Sequence, residues 1–451
     1  MNCWVAGHIL LPLHERLMRR KTFAYYRELL ESQWWPSERL AELQLAKLRR
    51  LVDIFATRTA YAKLAGIDSS FRPQGLDDLR RLPTLDKRFL NAHREDLTNP
   101  AVPGGPIRYN TGGSSGNPLI FHFDRRRQAY DKAARMRTHQ WWDVGPGDRE
   151  AYVWGSPVEL KRQDRVKRVR DWLTNEMLLS AFDLSERNAG PFVAALRRFR
   201  PRSLFGYPSS IALLCQLTRR QGLRMDDLGV KVVFSTAEVL YDHQKQLIGE
   251  TLGNVPVVNG YGSREGGFIS HECPGGSMHL TEENLIVEFL QGDQPAPPGQ
   301  DGEIVLTHLD NHAMPFIRYR TGDIGSALQG PCRCGRGLRR MNIIKGRTTD
   351  FIIAPDGRWV HGLALIYVVR ALPGVRQYQI VQEDVNHLLV KLVLEETFPS
   401  DGPQQVIAGM QERLGRSVRV DVAAVDSIPT EASGKFSYVV SQAARDRQAL
   451  L

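Results

Sequence analysis

Cysteine is scarce: the chain has five among 451 residues, an odd number at irregular spacing. That excludes a secreted disulfide scaffold and points to a reducing compartment, the cytoplasm by default. Long apolar runs are missing too. The stretch from Val5 to Leu13 is short, is broken by Pro12 and His14, and runs at once into Glu15, Arg16, Arg19, Arg20 and Lys21. It falls below the about 20 apolar residues of a membrane-spanning helix and lacks a small-residue cleavage site. No transmembrane segment is expected, while peripheral membrane contact through Trp4 stays open. No glycine-rich loop ends in Gly-Lys-Ser/Thr, which disfavours an ordinary P-loop nucleotidase. Basic residues exceed acidic ones by ten, yet they are spread along the chain, with one denser run from Lys161 to Arg170. Without a basic stripe carrying interleaved aromatics, no nucleic-acid partner is expected.

What remains is an ordinary globular balance, 42% hydrophobic and 24% charged, long enough for two or three domains. From Pro12 to about Ala65 apolar residues recur at three- and four-residue steps, a helical cap. After Pro83 and Pro100 short apolar runs bounded by Gly and Pro alternate with helical stretches such as Arg126 to Trp142 and Ser209 to Arg220, which predicts an α/β sheet architecture. The Pro-rich stretch from Gln291 to Asp301 reads as a surface turn, since a strand pattern follows directly. A boundary falls at Lys345 to Thr349. Beyond it a hairpin at Asp356-Gly357, a helix from Leu363, two strands, a helix around Gln404 to Leu414 and a last strand predict a small α+β unit.

Four stretches carry chemistry. In Tyr109-Asn110-Thr111-Gly112-Gly113-Ser114-Ser115-Gly116-Asn117-Pro118, three glycines allow close backbone approach and three hydroxyls add donors, a loop suited to phosphate oxygens or simply a flexible connector. In Asn259-Gly260-Tyr261-Gly262-Ser263-Arg264-Glu265, the aromatic can stack on a purine and the acid can hold Mg²⁺. In Tyr319-Arg320-Thr321-Gly322-Asp323, the carboxylate can accept ribose hydroxyls. Near the C-terminus, Ser433-Gly434-Lys435 puts a mobile cation on a loop.

Taken in order, with Gly346, Arg347 and Asp350 between the last two, these stretches resemble the motif succession of the adenylate-forming superfamily. The YGSRE form, the short N-terminal cap and Cys332 to Arg336 resemble its phenylacetate-CoA ligase and CapK-like branch. The resemblance covers about Gln33 to Lys435. Two positions depart from it: Arg264 stands where the superfamily usually has Ser or Thr, and Thr349 where many relatives have an acidic hinge residue.

The resemblance implies a large multi-sheet α/β domain over 1–346, binding ATP and the acyl group, with residues 1–65 as its cap. A small mobile α+β lid over 347–451 would carry Lys435. It implies an AMP-forming carboxylate ligase that makes an acyl-adenylate with release of pyrophosphate and then a coenzyme A thioester. The alternatives are transfer to an amine, hydroxyl or carrier protein in polysaccharide or natural-product biosynthesis, and a non-catalytic basic binding protein. Thr111, Ser114 and Ser115 would hold the leaving phosphates, Glu265 Mg²⁺, Asp323 the ribose, and Lys435 the carboxylate and α-phosphate. Ser235, Thr236, Ala237 and Glu238 would form the adenine side, with Tyr261 and Gly262 at the base and Arg347 at ribose or phosphate. The lid would rotate about Thr349 and Asp350 between half-reactions. Trp154, Tyr207 and Gly260 would wall the acyl pocket.

The cysteines raise a separate question. Cys273, His279, Cys332 and Cys334 offer a closed Cys₃His set for structural Zn²⁺, with His271 as a spare ligand, or else remain reduced thiols.

Overall fold

Apolar residues at helical spacing need a partner surface, and the N-terminal segment finds one on the body of the protein. A computed structural model of the chain describes residues 1–68, 70–110, 119–154, 165–238, 240–345, 351–428 and 438–441. Helices Thr22–Ser32 and Ser37–Arg58 turn Leu29, Leu40, Leu48, Leu51 and Phe55 inward. Helicity begins earlier than the sequence pattern indicates: it runs from Cys3 through a π-turn at Ala6–Leu10 to Leu17.

Buried ions fix this contact as firmly as apolar packing does. Arg137 Nη1 lies 2.6 Å from Glu283 Oε1, both side chains essentially inaccessible, and Ser32 Oγ donates to the same oxygen at 2.8 Å. Lys47 Nζ reaches Asp310 at 2.8 Å and Arg126 reaches it at 2.6 Å. Burial acts to raise the Asp310 carboxyl, but these two cations overcome it and hold the group below its usual range. Removing one partner strands a buried charge, at a cost of about 3–5 kcal/mol.

A twelve-stranded sheet forms the centre. Five strands run parallel in the spatial order Glu176–Ser180, Glu150–Trp154, Ser203–Gly206, Val232–Thr236 and Val257–Ser263. The sheet continues antiparallel through Gly267–Glu272, Met278–Leu280, Arg340–Lys345, Tyr319–Leu328, Gly302–His308, Leu285–Gln291 and Gln294–Pro295. Helices Arg125–Gln140, Glu186–Phe199, Pro208–Arg220 and Asp242–Thr251 alternate with the parallel strands, the α/β arrangement the pattern predicts. Ile107–Asn110 and Ile120–Phe123 pair separately as an antiparallel ribbon. The Pro-rich stretch is a surface turn, with Gln291 paired to Gln294 and exposed residues beyond.

Past the predicted boundary the chain builds a distinct core. Strands Phe351–Ile353 and Trp359–His361 form the expected hairpin, and Val375–Asp384, His387–Leu394, Arg419–Ala424 and Val439–Ser441 form a four-stranded sheet. Helices Gly362–Arg370 and Gly402–Leu414 pack on it through Leu365, Val369, Val406 and Met410. Among the described residues no helix is long and apolar enough to cross a membrane.

Candidate active site

Parallel strands end together, and their carboxyl ends are where open α/β sheets bind ligands. Val153, Gly206, Ser235 and Asn259 stand in one register row, with Thr236 and Gly260 one step further on. The expected adenine-side segment and acyl-side residues therefore share one rim. Ala237 turns the chain with φ of 70°, and Glu238 Oε2 accepts from the Ser209 amide at 3.3 Å, at the start of helix Pro208–Arg220. A carboxylate there complements the positive end of the helix. Trp154 and Tyr207 stack on each other with centroids 4.1 Å apart, beside Phe205.

Strand Val257–Ser263 then reverses through Arg264, Glu265 and Gly266. The reversal depends on glycine: at Gly267, φ is 68° and a Cβ would stand 2.1 Å from Asp131 Oδ1. Held by this turn, Tyr261 donates its hydroxyl to Asp323 Oδ2 at 2.9 Å, and Tyr319 donates to Glu265 Oε1 at 3.4 Å. The structure thus joins Tyr261 to Asp323 and Glu265 to Tyr319, from segments about sixty residues apart. Tyr319, in the motif but given no role from sequence, is the link to Glu265. Arg264 Nη1 donates to the carbonyl of Asn110 at 2.9 Å and its guanidinium lies over Tyr109, while Arg127 Nη2 donates to the Arg264 carbonyl at 2.5 Å. Thr111, Gly112, Gly113, Ser114, Ser115, Gly116, Arg347, Thr349, Asp350 and Lys435 lie outside the described residues.

Beneath the rim is a small pocket whose lining includes His139, Phe205, Phe234, Ser235, Gly260 and His271. His139 stacks flat on Phe234 at 3.8 Å, and its Nδ1 lies 3.0 Å from Glu150 Oε2. Gly260 is required here, since a Cβ would come within 3.0 Å of His271 Cδ2. Burial, with the Arg137 and Arg135 cations, pushes the His271 imidazole down to about 3; burial likewise drives His139 well below its usual value. Both rings are neutral at pH 7. His271 Nδ1 and Ser235 Oγ have no hydrogen-bond partner among the described residues, two buried polar atoms facing a space that a polar ligand can fill. His139 is not found by motif reading, because it sits in a helix with no local signature, and the sequence offers His271 only as a spare metal ligand.

The sulfur cluster stands apart from this rim. The donor atoms of Cys273, His279, Cys332 and Cys334 all lie within 4.8 Å of one another. Cys273 and Cys332 sulfurs are 3.6 Å apart, and Cys334 Sγ is 3.2 Å from His279 Nε2. His279 Nδ1 sits 2.9 Å from the Leu338 carbonyl, which makes Nδ1 the protonated nitrogen and turns the Nε2 lone pair to the sulfurs. His271, the spare ligand, instead lines the pocket. The cluster packs against Trp35 and Trp141, and the next residues, Arg336 and Gly337, hydrogen-bond to Gln33. The structure places the cluster next to the N-terminal helices.

Residues 352–442 match the family model described as the CapK C-terminal domain. A phenylacetate-coenzyme A ligase of Thermus thermophilus is 28% identical over 422 residues, 87% of this chain and 92% of that protein. Protein CapK of Staphylococcus aureus is 23% identical over 343 residues, 74% of each chain. Among solved structures, 2-hydroxyisobutyryl-CoA ligase in complex with 2-HIB-AMP and CoA superposes with a TM-score of 0.63 at 19% identity, covering 93% of this chain and 94% of that one, a shared fold.

Proposed function

We propose that the chain is an adenylate-forming ligase of the phenylacetate-CoA ligase and CapK branch, which activates a carboxylic acid with ATP and passes the acyl group to coenzyme A. The observation that carries this reading is the bonding of Tyr261 to Asp323 and of Tyr319 to Glu265, on a strand whose Asn259 and Gly260 pair with Ser235 and Thr236. A carboxylate is a poor electrophile. One of its oxygens attacks the α-phosphorus of ATP, the bond to the bridging oxygen breaks, and pyrophosphate leaves. The coenzyme A sulfur then attacks the acyl carbon, the thiol proton is lost, and AMP departs.

In this reading Asp323 accepts the ribose hydroxyls and is held in place by Tyr261, whose ring lies against the base. Ser235, Thr236, Ala237, Glu238 and Gly262 frame the adenine. Thr111 to Gly116 cradle the departing phosphates, and Arg347 meets ribose or phosphate. Lys435 neutralises charge between the carboxylate and the α-phosphate, the electrostatic help that such a transfer needs. Glu265 would hold Mg²⁺, which offsets phosphate charge when bound; its carboxylate is oriented by Tyr319, as a monodentate ligand requires. The chain divides at 346/347, with the C-terminal unit closing to deliver Lys435.

Phe205 and Phe234 in the pocket lining, with Trp154 beside Phe205 and stacked on Tyr207, support an acid with a flat, apolar tail. The sulfur cluster fits structural Zn²⁺: three thiols, one imidazole with a fixed tautomer, and no position left for substrate. Reduced cysteines suit a cytoplasmic enzyme. The test is pyrophosphate release over a panel of carboxylic acids, with product mass measured with and without coenzyme A. Acid-dependent pyrophosphate and AMP with a new thioester support the reading. An adenylate that persists in coenzyme A but is consumed by amines would redirect the second half, and no acid-dependent release would end it.

A further inference from the structure

We propose that the N-terminal helical segment Cys3–Leu17, together with helix Arg165–Leu173, forms a docking surface for an anionic lipid bilayer. This does not depend on the ligase reading. One side of the N-terminal segment is fixed to the body: Ala6, Gly7, Leu11 and Glu15 are buried. Gly7 lies so close to the backbone that a Cβ there would stand 2.0 Å from the Pro146 carbonyl. Glu15 is held by Lys132 at 2.8 Å and by the Thr22 hydroxyl at 2.5 Å. The segment is therefore anchored.

Its other side is apolar and open. Ile9, Leu13 and Leu17 follow one another at four-residue steps, and with Trp4 and Met18 they are between 45% and 73% exposed. That is an unusual set for water and a natural one for the boundary between headgroups and acyl chains. Just beyond the second helix Asn175 Nδ2 lies 3.8 Å from Cys3 Sγ, and the helix itself adds Val169 and Trp172, 57% and 60% exposed.

Charge selects the occupant. Arg16, Arg19 and Lys21 border the apolar stripe and are exposed. The one acid among the first 21 residues, Glu15, is buried in its ion pairs. In helix Arg165–Leu173, Arg170 is exposed beside Val169 and Trp172, with the adjacent Asp171 at 2.5 Å. A two-fold pairing of this face with a second copy would set these cations against their own equivalents. An anionic headgroup layer would meet them with opposite charge.

The experiment is flotation of the full chain with vesicles of pure phosphatidylcholine or of phosphatidylcholine with phosphatidylglycerol. Binding is expected only with phosphatidylglycerol present and should weaken with added salt. The Leu13→Glu/Leu17→Glu variant changes two exposed side chains and should keep its melting temperature while binding roughly tenfold more weakly or worse. Arg16→Glu/Arg19→Glu should lose binding similarly, and both variants should keep their activity on a water-soluble substrate. Absence of binding to either vesicle, equal binding by the variants, or a wild-type dimer in sedimentation that the leucine variant dissociates would each overturn the proposal.

Discussion

The Arg264 guanidinium donates to the Asn110 carbonyl, the last described residue before the Gly/Ser loop, and so ties the turn that presents Glu265 to the start of that loop. Two stretches 154 residues apart are joined by a side chain that the wider superfamily resembled here usually lacks. The departure at this position has a structural role: it holds the mouth of the loop against the turn.

Arg264→Ala should therefore raise KM for ATP about tenfold with little change in melting temperature, the size of one charge-assisted hydrogen bond. Arg264→Lys should recover only part of this, because an ammonium lacks the planar fork that lies over Tyr109. Initial-rate kinetics over an ATP series decide it, and an unchanged KM in both variants would remove the role.

Glu265→Gln should lower kcat by roughly 100-fold and resist rescue by high Mg²⁺. Tyr319→Phe keeps the carboxylate but frees it, so the Mg²⁺ midpoint should rise several-fold while kcat at saturation stays near wild type. If both variants titrate like the parent, Glu265 is only a turn residue.

Lys435→Ala should slow acid-dependent pyrophosphate release by about 10²–10³-fold, the loss of one preorganised cation at the transferring group. Thioester formation from a supplied acyl-adenylate should fall far less. Single-turnover measurements of each half separate the two, and equal losses in both would refute a role confined to adenylation.

Protein purified without chelators or a metal-affinity step should carry about one equivalent of zinc. Cys332→Ser should lower metal content and reduce Tm by roughly 10 °C, since binding to a closed site contributes to folding free energy. Metal analysis with thermal melting checks this. A metal-free protein of full stability would leave these residues as thiols and an imidazole.

Acid should destabilise the fold through its buried imidazoles. His271 stays neutral in the folded protein down to about 3, whereas in the unfolded chain it takes up a proton below about pH 6.5. Between those values the unfolded state binds more protons, so stability falls as pH drops through that window. Denaturant melts of wild type and His271→Gln at a series of pH values should show a shallower slope for the variant. Parallel slopes would assign the acid sensitivity elsewhere.

Local chemistry explains what the sequence disclosed and what it concealed. The turn after Tyr261 was readable because Gly262 lies against the Gly267 carbonyl and Gly267 takes a positive φ, and such demands leave glycines in a recognisable row. Helix Pro208–Arg220 was readable because an apolar face and a leading proline mark it. Strands Gly267–Glu272 and Met278–Leu280 were not, since they are short and mix His and Glu with apolar residues. The hydroxyl of Tyr319 on Glu265 and the ion pair of Arg137 with Glu283 join residues 54 and 146 positions apart. No local pattern encodes such distances, and Arg137 sits in a helix so polar that nothing in it announces a fully buried charge.

The bond from Arg336 to Gln33 also sets a schedule. Its two ends are 303 residues apart, so at roughly 5–20 residues per second the first helices wait roughly 15–60 s on the ribosome before their seat is complete. Leu40, which packs with Cys332 and Leu338 in the finished molecule, lacks that part of its cover during the interval.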